Sequence, residues 1–126
     1  MSAPARKRLV DELSAALPST YTVMGYPTGL DRVTGPTVCV WQETVTKTDQ
    51  FGPPRLRVDL AVWVLTGQED PGKADDVLDD ALTQVLAALQ PLGWIDWTSA
   101  ERLVPEFVTA HGFKLTCTAL TEPLTL

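Results

Sequence analysis

The sequence predicts an α+β fold: a mixed or antiparallel sheet with one long projecting β-hairpin over about residues 37–65, packed by two helices over about 4–17 and 74–89. Three observations predict it. Residues Arg55–Leu65 alternate without a break, with Leu56, Val58, Leu60, Val62 and Val64 on one side and Arg55, Arg57, Asp59, Ala61 and Trp63 on the other. The run Thr37–Thr48 before it is equally strand-like, and the breaker segment Asp49-Gln50-Phe51-Gly52-Pro53-Pro54 makes the two runs arms of one hairpin. Beyond the hairpin, Val77, Leu78, Ala81, Leu82, Val85, Leu86 and Leu89 recur at helical spacing, a broad apolar stripe suited to lying across a sheet.

The other elements follow in order. Leu9, Val10, Leu13, Ala16 and Leu17 give a first helix over Pro4–Leu17, which Pro18 stops. Arg6, Lys7 and Arg8 sit at its start, where the helix dipole favours acids, so they mark either a solvated terminus or contact with an acidic partner. Tyr21–Met24 reads as a short strand and Gly25–Pro36 as a punctuated loop. That loop has neither the spacing nor the following Lys-Ser/Thr of a nucleotide-binding loop. Asp70-Pro71-Gly72 marks a turn and the approach to the second helix, Ala74–Leu89, which Gln90-Pro91-Leu92-Gly93 ends. Trp94–Trp97 and Arg102–Val108 read as short strands, Pro105 placing the second at an edge or bulge. His111-Gly112 reads as a turn before the last strand, Phe113–Leu120.

Pairing Thr48 with Arg55 sets Val45, Trp41 and Cys39 opposite Val58, Val62 and Val64, whereas a one-residue slip would put threonines and a glutamine there. One misfit remains, Glu43 opposite Leu60. This register expects Val38, Val40, Trp63 and Leu65 together on the reverse face, hence a hairpin base buried on both sides and a tip buried on one. Arms of ~11 residues at roughly 3.3 Å each reach about 36 Å, which is about the diameter of a domain of this length. The hairpin must span the domain or project from it. A projecting tip would leave Val45, Leu56 and Val58 in water, each forgoing roughly 1.5–3 kcal/mol of burial, unless a neighbouring subunit covered them.

Length and composition fit one globular domain, 1–126, with 44% apolar and 21% charged residues. A formal net charge of -6 argues against a dedicated nucleic-acid binder, though not against a protein that DNA passes. No apolar run reaches membrane-spanning length and no signal-peptide core is visible, so the expected setting is cytoplasmic. Cys39 and Cys117 both fall in apolar strand patterns and read as reduced core thiols.

Chemistry is scarce, and no cofactor is implied. The single histidine, His111, has no cysteine or serine in a nucleophile setting nearby, and the acid pair Glu101 and Glu106 lacks specificity. Trp41 and Trp63 have the phase of core residues, while Trp94 and Trp97 are open to packing or stacking. Asp75, Asp76, Asp79 and Asp80 lie off the stripe of the second helix. They read as a solvated face, as a surface turned to a basic partner or a DNA passage, or as a divalent-metal site lacking a second ligand group.

The order of an N-terminal helix, the hairpin Thr37-Val38-Cys39-Val40-Trp41 with Leu60-Ala61-Val62-Trp63-Val64, one packed helix and the closing strand Phe113-Lys114-Leu115-Thr116-Cys117 resembles the small tail terminator proteins of long flexible-tailed (siphovirus-type) bacteriophages. The likeness covers nearly the whole chain and lies in size, element order and hydrophobic texture. It implies a non-enzymatic structural virion protein, assembled in the host cytoplasm into a homo-hexameric ring. Such a ring caps the tail tube, ends its polymerisation and meets the head connector, with DNA only passing through the lumen. On that reading Val45, Lys47, Phe51, Arg55, Leu56, Arg57 and Val58 would form the subunit or tube interface, and Asp75, Asp76, Asp79 and Asp80 an acidic lumen or partner face. A head-completion or neck protein of the same virion and a free-standing protein-binding module are the alternatives.

Overall fold

The computed structural model describes residues 5–25, 33, 35–48, 55–105 and 110–120. The element order is α1 (Ala5–Ala16), β1 (Thr22–Met24), β2 (Thr37–Thr48), β3 (Arg55–Thr66), α2 (Pro71–Leu89), β4 (Ile95–Leu103) and β5 (His111–Leu120). The strands form one five-stranded sheet in the order β1-β2-β3-β5-β4, so the fold is α+β. β1 runs parallel to β2, and the remaining neighbours are antiparallel. A parallel neighbour needs a connection of about a dozen residues, and residues 25–36 separate the two strands in sequence.

Both helices share one face of the sheet. Leu9 and Leu13 of α1 and Leu78, Ala81, Val85 and Leu89 of α2 pack with Val38, Val40, Leu60, Val62, Val64, Leu115 and Cys117 in one buried cluster. Of the stripe read from the sequence, Leu78, Ala81, Val85 and Leu89 are buried, Leu82 and Leu86 are partly buried, and Val77 at its margin is exposed. A second, smaller cluster of Val33, Cys39, Ala61, Trp63 and Leu65 lies on the reverse face, with Met24, Trp41, Leu103 and Ala110 at its margin. The hairpin base is thus buried on both sides, as its apolar runs predict.

The phase of that base differs from the expected one. Thr48 pairs with Arg55 and Val45 with Val58 as anticipated, but Gln42 pairs with Leu60 and Thr44 with Asp59, so Glu43 is an extra residue, a β-bulge. Below it Trp41 faces Ala61 and Cys39 faces Trp63. Val38 and Val40 therefore point to the helices, while Cys39, Trp41, Trp63 and Leu65 point away. The misfit of Glu43 with Leu60 in an unbroken register is the sequence trace of this bulge: the strand ejects the carboxylate, which bonds Lys114 Nζ at 3.0 Å instead.

Three other boundaries move. α2 starts at Pro71 rather than Ala74, because Asp70 caps it by accepting from the amides of Gly72 at 3.0 Å and Lys73 at 3.1 Å, with Pro71 preset for the first turn. Of the two short strands expected at 94–97 and 102–108, the described parts belong to one strand, β4, whose alternation is broken by a bulge between Trp97 and Ser99, and residues 106–108 lie outside the described residues. Pro105 lies beyond its end. His111 opens β5 opposite Thr66 instead of making a turn.

Arg8, exposed in the first turns of α1, has contacts within the chain. Its guanidinium lies 4.3 Å from the centre of the Trp94 ring and 3.6 Å from Glu12, whose other oxygen accepts from Trp94 Nε1 at 2.7 Å. This triangle pins α1 to the turn after α2. Trp94→Phe keeps an aromatic face but removes the donor and the second ring of the indole, so it is expected to lower stability by about 1–3 kcal/mol, the lost charge-assisted hydrogen bond and packing together. A urea titration checks it, through a lower midpoint at unchanged slope.

Candidate functional site

Among the described residues, the end of the hairpin is exposed at some positions and closed at others. β5 accompanies β3 as far as Arg57, which places Val58 between Val45 of β2 and Ala119 of β5. Val58 is only 4% exposed. It is a core residue and offers nothing to a neighbouring subunit, which corrects its place in the expected interface. Leu56 is half-buried and packs on the margin of the helix-side cluster. Val45, on the outer strand, is 44% exposed.

The charged tip residues divide by face. Arg57 Nε donates to Asp59 Oδ1 at 3.2 Å, and the Thr118 hydroxyl donates to the same oxygen at 3.1 Å, forming a polar strip across β3 and β5 on the reverse face. Arg55 and Lys47 are exposed, Lys47 opposite Leu56 on the helix side. Phe51 lies outside the described residues. The structure therefore brings Val45, Lys47, Arg55, Leu56 and Arg57 to one end of the sheet, Arg57 exposed there in its ion pair with Asp59, and removes Val58 alone to the core.

β2 itself is the more informative feature. β1 borders only Thr37–Cys39, so among the described residues Val40–Thr48 has strand pairing on the β3 side alone. Gln42 to Lys47 are all exposed. An open edge of this length is a template for strand addition, and a bulge with charged neighbours is the usual protection against indiscriminate pairing. The opposite edge is β4, likewise bulged, and it carries Trp97 at 37% exposure. The sequence placed the 102–108 segment at an edge or bulge and missed only that it continues the strand begun near Trp94. The irregular alternation of residues 95–103 was its signal.

Asp75, Asp76, Asp79 and Asp80 are exposed on α2, as their position off the stripe requires. Asp75 accepts from Arg102 Nε at 2.9 Å, which ties the helix to β4. Burial, and secondarily the charge of Asp80, pushes the Tyr21 phenol above its ordinary value. Among the described residues, no group of three or more His, Cys, Asp or Glu side chains is placed to hold a metal ion.

An open cleft at the start of α2 is lined by Gly35, Thr66, Gly67, Gln68, Glu69 and Val77. The neighbouring amides of Gln68, Asp70, Gly72 and Lys73 already donate to the side chains of Thr66, Gln68 and Asp70 within the same loop. Those donors are spent on the turn, and the Glu69 carboxylate beside them disfavours an anion. Among the described residues, no helix is long and apolar enough to cross a membrane.

Cys39 and Cys117 are free and buried, on the reverse and helix faces respectively. β3 stands between their strands, a separation of roughly 10 Å at two strand spacings, beyond the ~7 Å a disulfide can bridge. Burial pushes the Cys39 thiol up to about 11 and, with a smaller push from Asp96, the Cys117 thiol up to about 12. A pKa raised on folding favours the protonated native state. That contribution is complete below the ordinary thiol value of 9.0 and is lost as pH rises through about 11 for Cys39 and about 12 for Cys117. Urea midpoints are expected to fall above pH 9 in the native chain, and less steeply in a Cys39→Ala, Cys117→Ala variant. At pH 8 a thiol-exchange reagent should modify neither cysteine before unfolding.

No protein-family model matches the chain, and no curated protein sequence matches it.

Proposed function

We propose that this chain is a structural subunit of a bacteriophage tail, a tail terminator that assembles into a ring on the end of the tail tube, stops its growth and presents the opposite face to the head connector. The observation that carries the reading is the outer half of β2, which among the described residues is paired on one side alone, with Val45 exposed near half-buried Leu56 at the end of the sheet. A long edge strand with an apolar side chain on it is the surface expected of a subunit completed by neighbours. The element order, a helix, a long hairpin, a packed helix and a closing strand pair, agrees with the resemblance read from the sequence. The acids of α2 fit a passage through which DNA slides, since fixed positive charge there would hold the phosphates. The role asks for no catalytic group or cofactor.

Negative-stain microscopy of the purified protein mixed with isolated tail tubes tests this. The expected image is a six-fold ring seated end-on at tube tips. Binding to filled heads instead would identify a head-completion or neck protein. A small particle indifferent to both would leave a free-standing binding module, which takes an extended peptide along the β2 edge.

A further inference from the structure

We propose that the open edge of β2 is completed by β4 of a second copy of this chain, so that the sheets of successive subunits join edge to edge. The inference rests on the reading of the chain as a ring-former and names the contact that would build the ring.

Strand direction allows it. β2 and β5 run one way and β3 and β4 the other, so β4 laid beside the β2 of a like-oriented copy makes an antiparallel pair. Length also fits. Val40–Thr48 offers nine residues beyond the last β1 partner, Cys39, and β4 is 9 residues long. β1 acts as a stop, since an incoming strand cannot pass below Val40 without displacing it. The arriving strand therefore seats higher than in its own sheet, and such a stagger from copy to copy is what a closed sheet requires.

The side chains match as well. Val45 faces the same way as its partner Val58, and Trp97 the same way as Cys117, both partners belonging to the helix-side core. A joined sheet thus gathers the exposed apolar groups of the two edges on one face, where they cover each other. The β4 edge carries exposed Asp96 and Glu101, its Arg102 being paired with Asp75 of α2, and the β2 edge carries exposed Lys47, its Glu43 being paired with Lys114. Opposite charges on opposite edges favour β2 against β4 and disfavour β4 against β4. Each edge is bulged, at Glu43 and between Trp97 and Ser99. Bulges restrict pairing to partners of matching register, so the edges stay protected from chance strands. The contact is heterologous, and a heterologous contact either closes into a ring or grows as a filament.

Sedimentation of charge-edge variants tests it. Val45→Lys disables the β2 edge and Trp97→Lys the β4 edge, both at exposed positions that leave the circular dichroism spectrum unchanged. Each alone is expected to be monomeric at concentrations where the native chain assembles, with at least a tenfold weaker association. Their equimolar mixture is expected to form dimers and nothing larger, because it contains one intact β2 edge facing one intact β4 edge. Val77→Lys, exposed on α2 away from both edges, should assemble as the native chain does. A monomeric mixture, full assembly by either edge variant alone, or loss of assembly in Val77→Lys would each overturn the contact. Failure of native rings to bind tube ends, with the dimer pattern intact, would remove the tail function and leave the contact standing.

Discussion

Deleting Val40 is expected to abolish the folded state, or nearly so, whereas deleting Glu43, three residues away in the same strand, should leave a stable protein. Gln42 and Thr44 already face Leu60 and Asp59, which are consecutive in β3, so removing Glu43 joins them into regular pairing with every other side chain on its present face. The losses are the ion pair with Lys114, worth at most about 1 kcal/mol at a partly exposed site, and some local twist. Removing Val40 allows no such repair. If the strand above is held, Val38 leaves the helix-side core and Cys39 is driven into it. If the strand below is held, the bulge is consumed and Trp41 must fill the slot of Val40, which is fully buried. Either outcome misplaces several groups at about 1.5–3 kcal/mol each, comparable to the roughly 5–15 kcal/mol of a whole domain. Urea titrations of both deletions decide the matter, and equal damage from the two would show that the bulge does not carry the phase.

Gly112→Ala should be nearly as informative, at the cost of a single methyl group. Gly112 lies in β5 between Leu65 of β3 and Leu103 of β4, whose side chains belong to the reverse-face cluster. A Cβ there would stand 2.8 Å from the backbone oxygen of Val64 and 2.6 Å from Leu65 Cδ2. Leu65 is fully buried and the backbone oxygen belongs to the central strand, so neither yields easily. The same glycine's carbonyl accepts from Arg102 Nη1 at 3.3 Å, the arginine that also reaches Asp75 on α2. Overpacking a tight core site costs about 1–3 kcal/mol, and the upper end is expected here. The substitution should lower the urea midpoint by an amount equivalent to about 3 kcal/mol. A shift below ~0.5 kcal/mol, the range of ordinary surface changes, would mean that the strands part readily at this point.

The candidate surface was only partly legible in advance. Val45, Lys47 and Arg55 are exposed at the hairpin end, and Asp76, Asp79 and Asp80 are exposed on α2, because strand and helix phase within one segment decide such things. Val58 was misread because its fate depends on which strand borders the other side of β3, and no pattern inside β3 carries that information. β4 was legible only as two short pieces for a related reason. An edge strand packs on one side only, and the bulge near Thr98 breaks the alternation that would have announced it.

The sequence by itself determined the α+β class, the two helices, the long hairpin with its Thr48–Arg55 end, and the stripe by which α2 meets the sheet. These follow from short-range periodicities, which the backbone geometry of helix and strand imposes on any segment that must bury one side. Only the tertiary structure decided that β1 joins parallel to β2, that β5 inserts between β3 and β4, and that a bulge at Glu43 turns Trp41 and Cys39 away from the helices. Those choices are set by competition among distant segments for the same buried area, in which one ejected carboxylate is exchanged for two valines returned to the core.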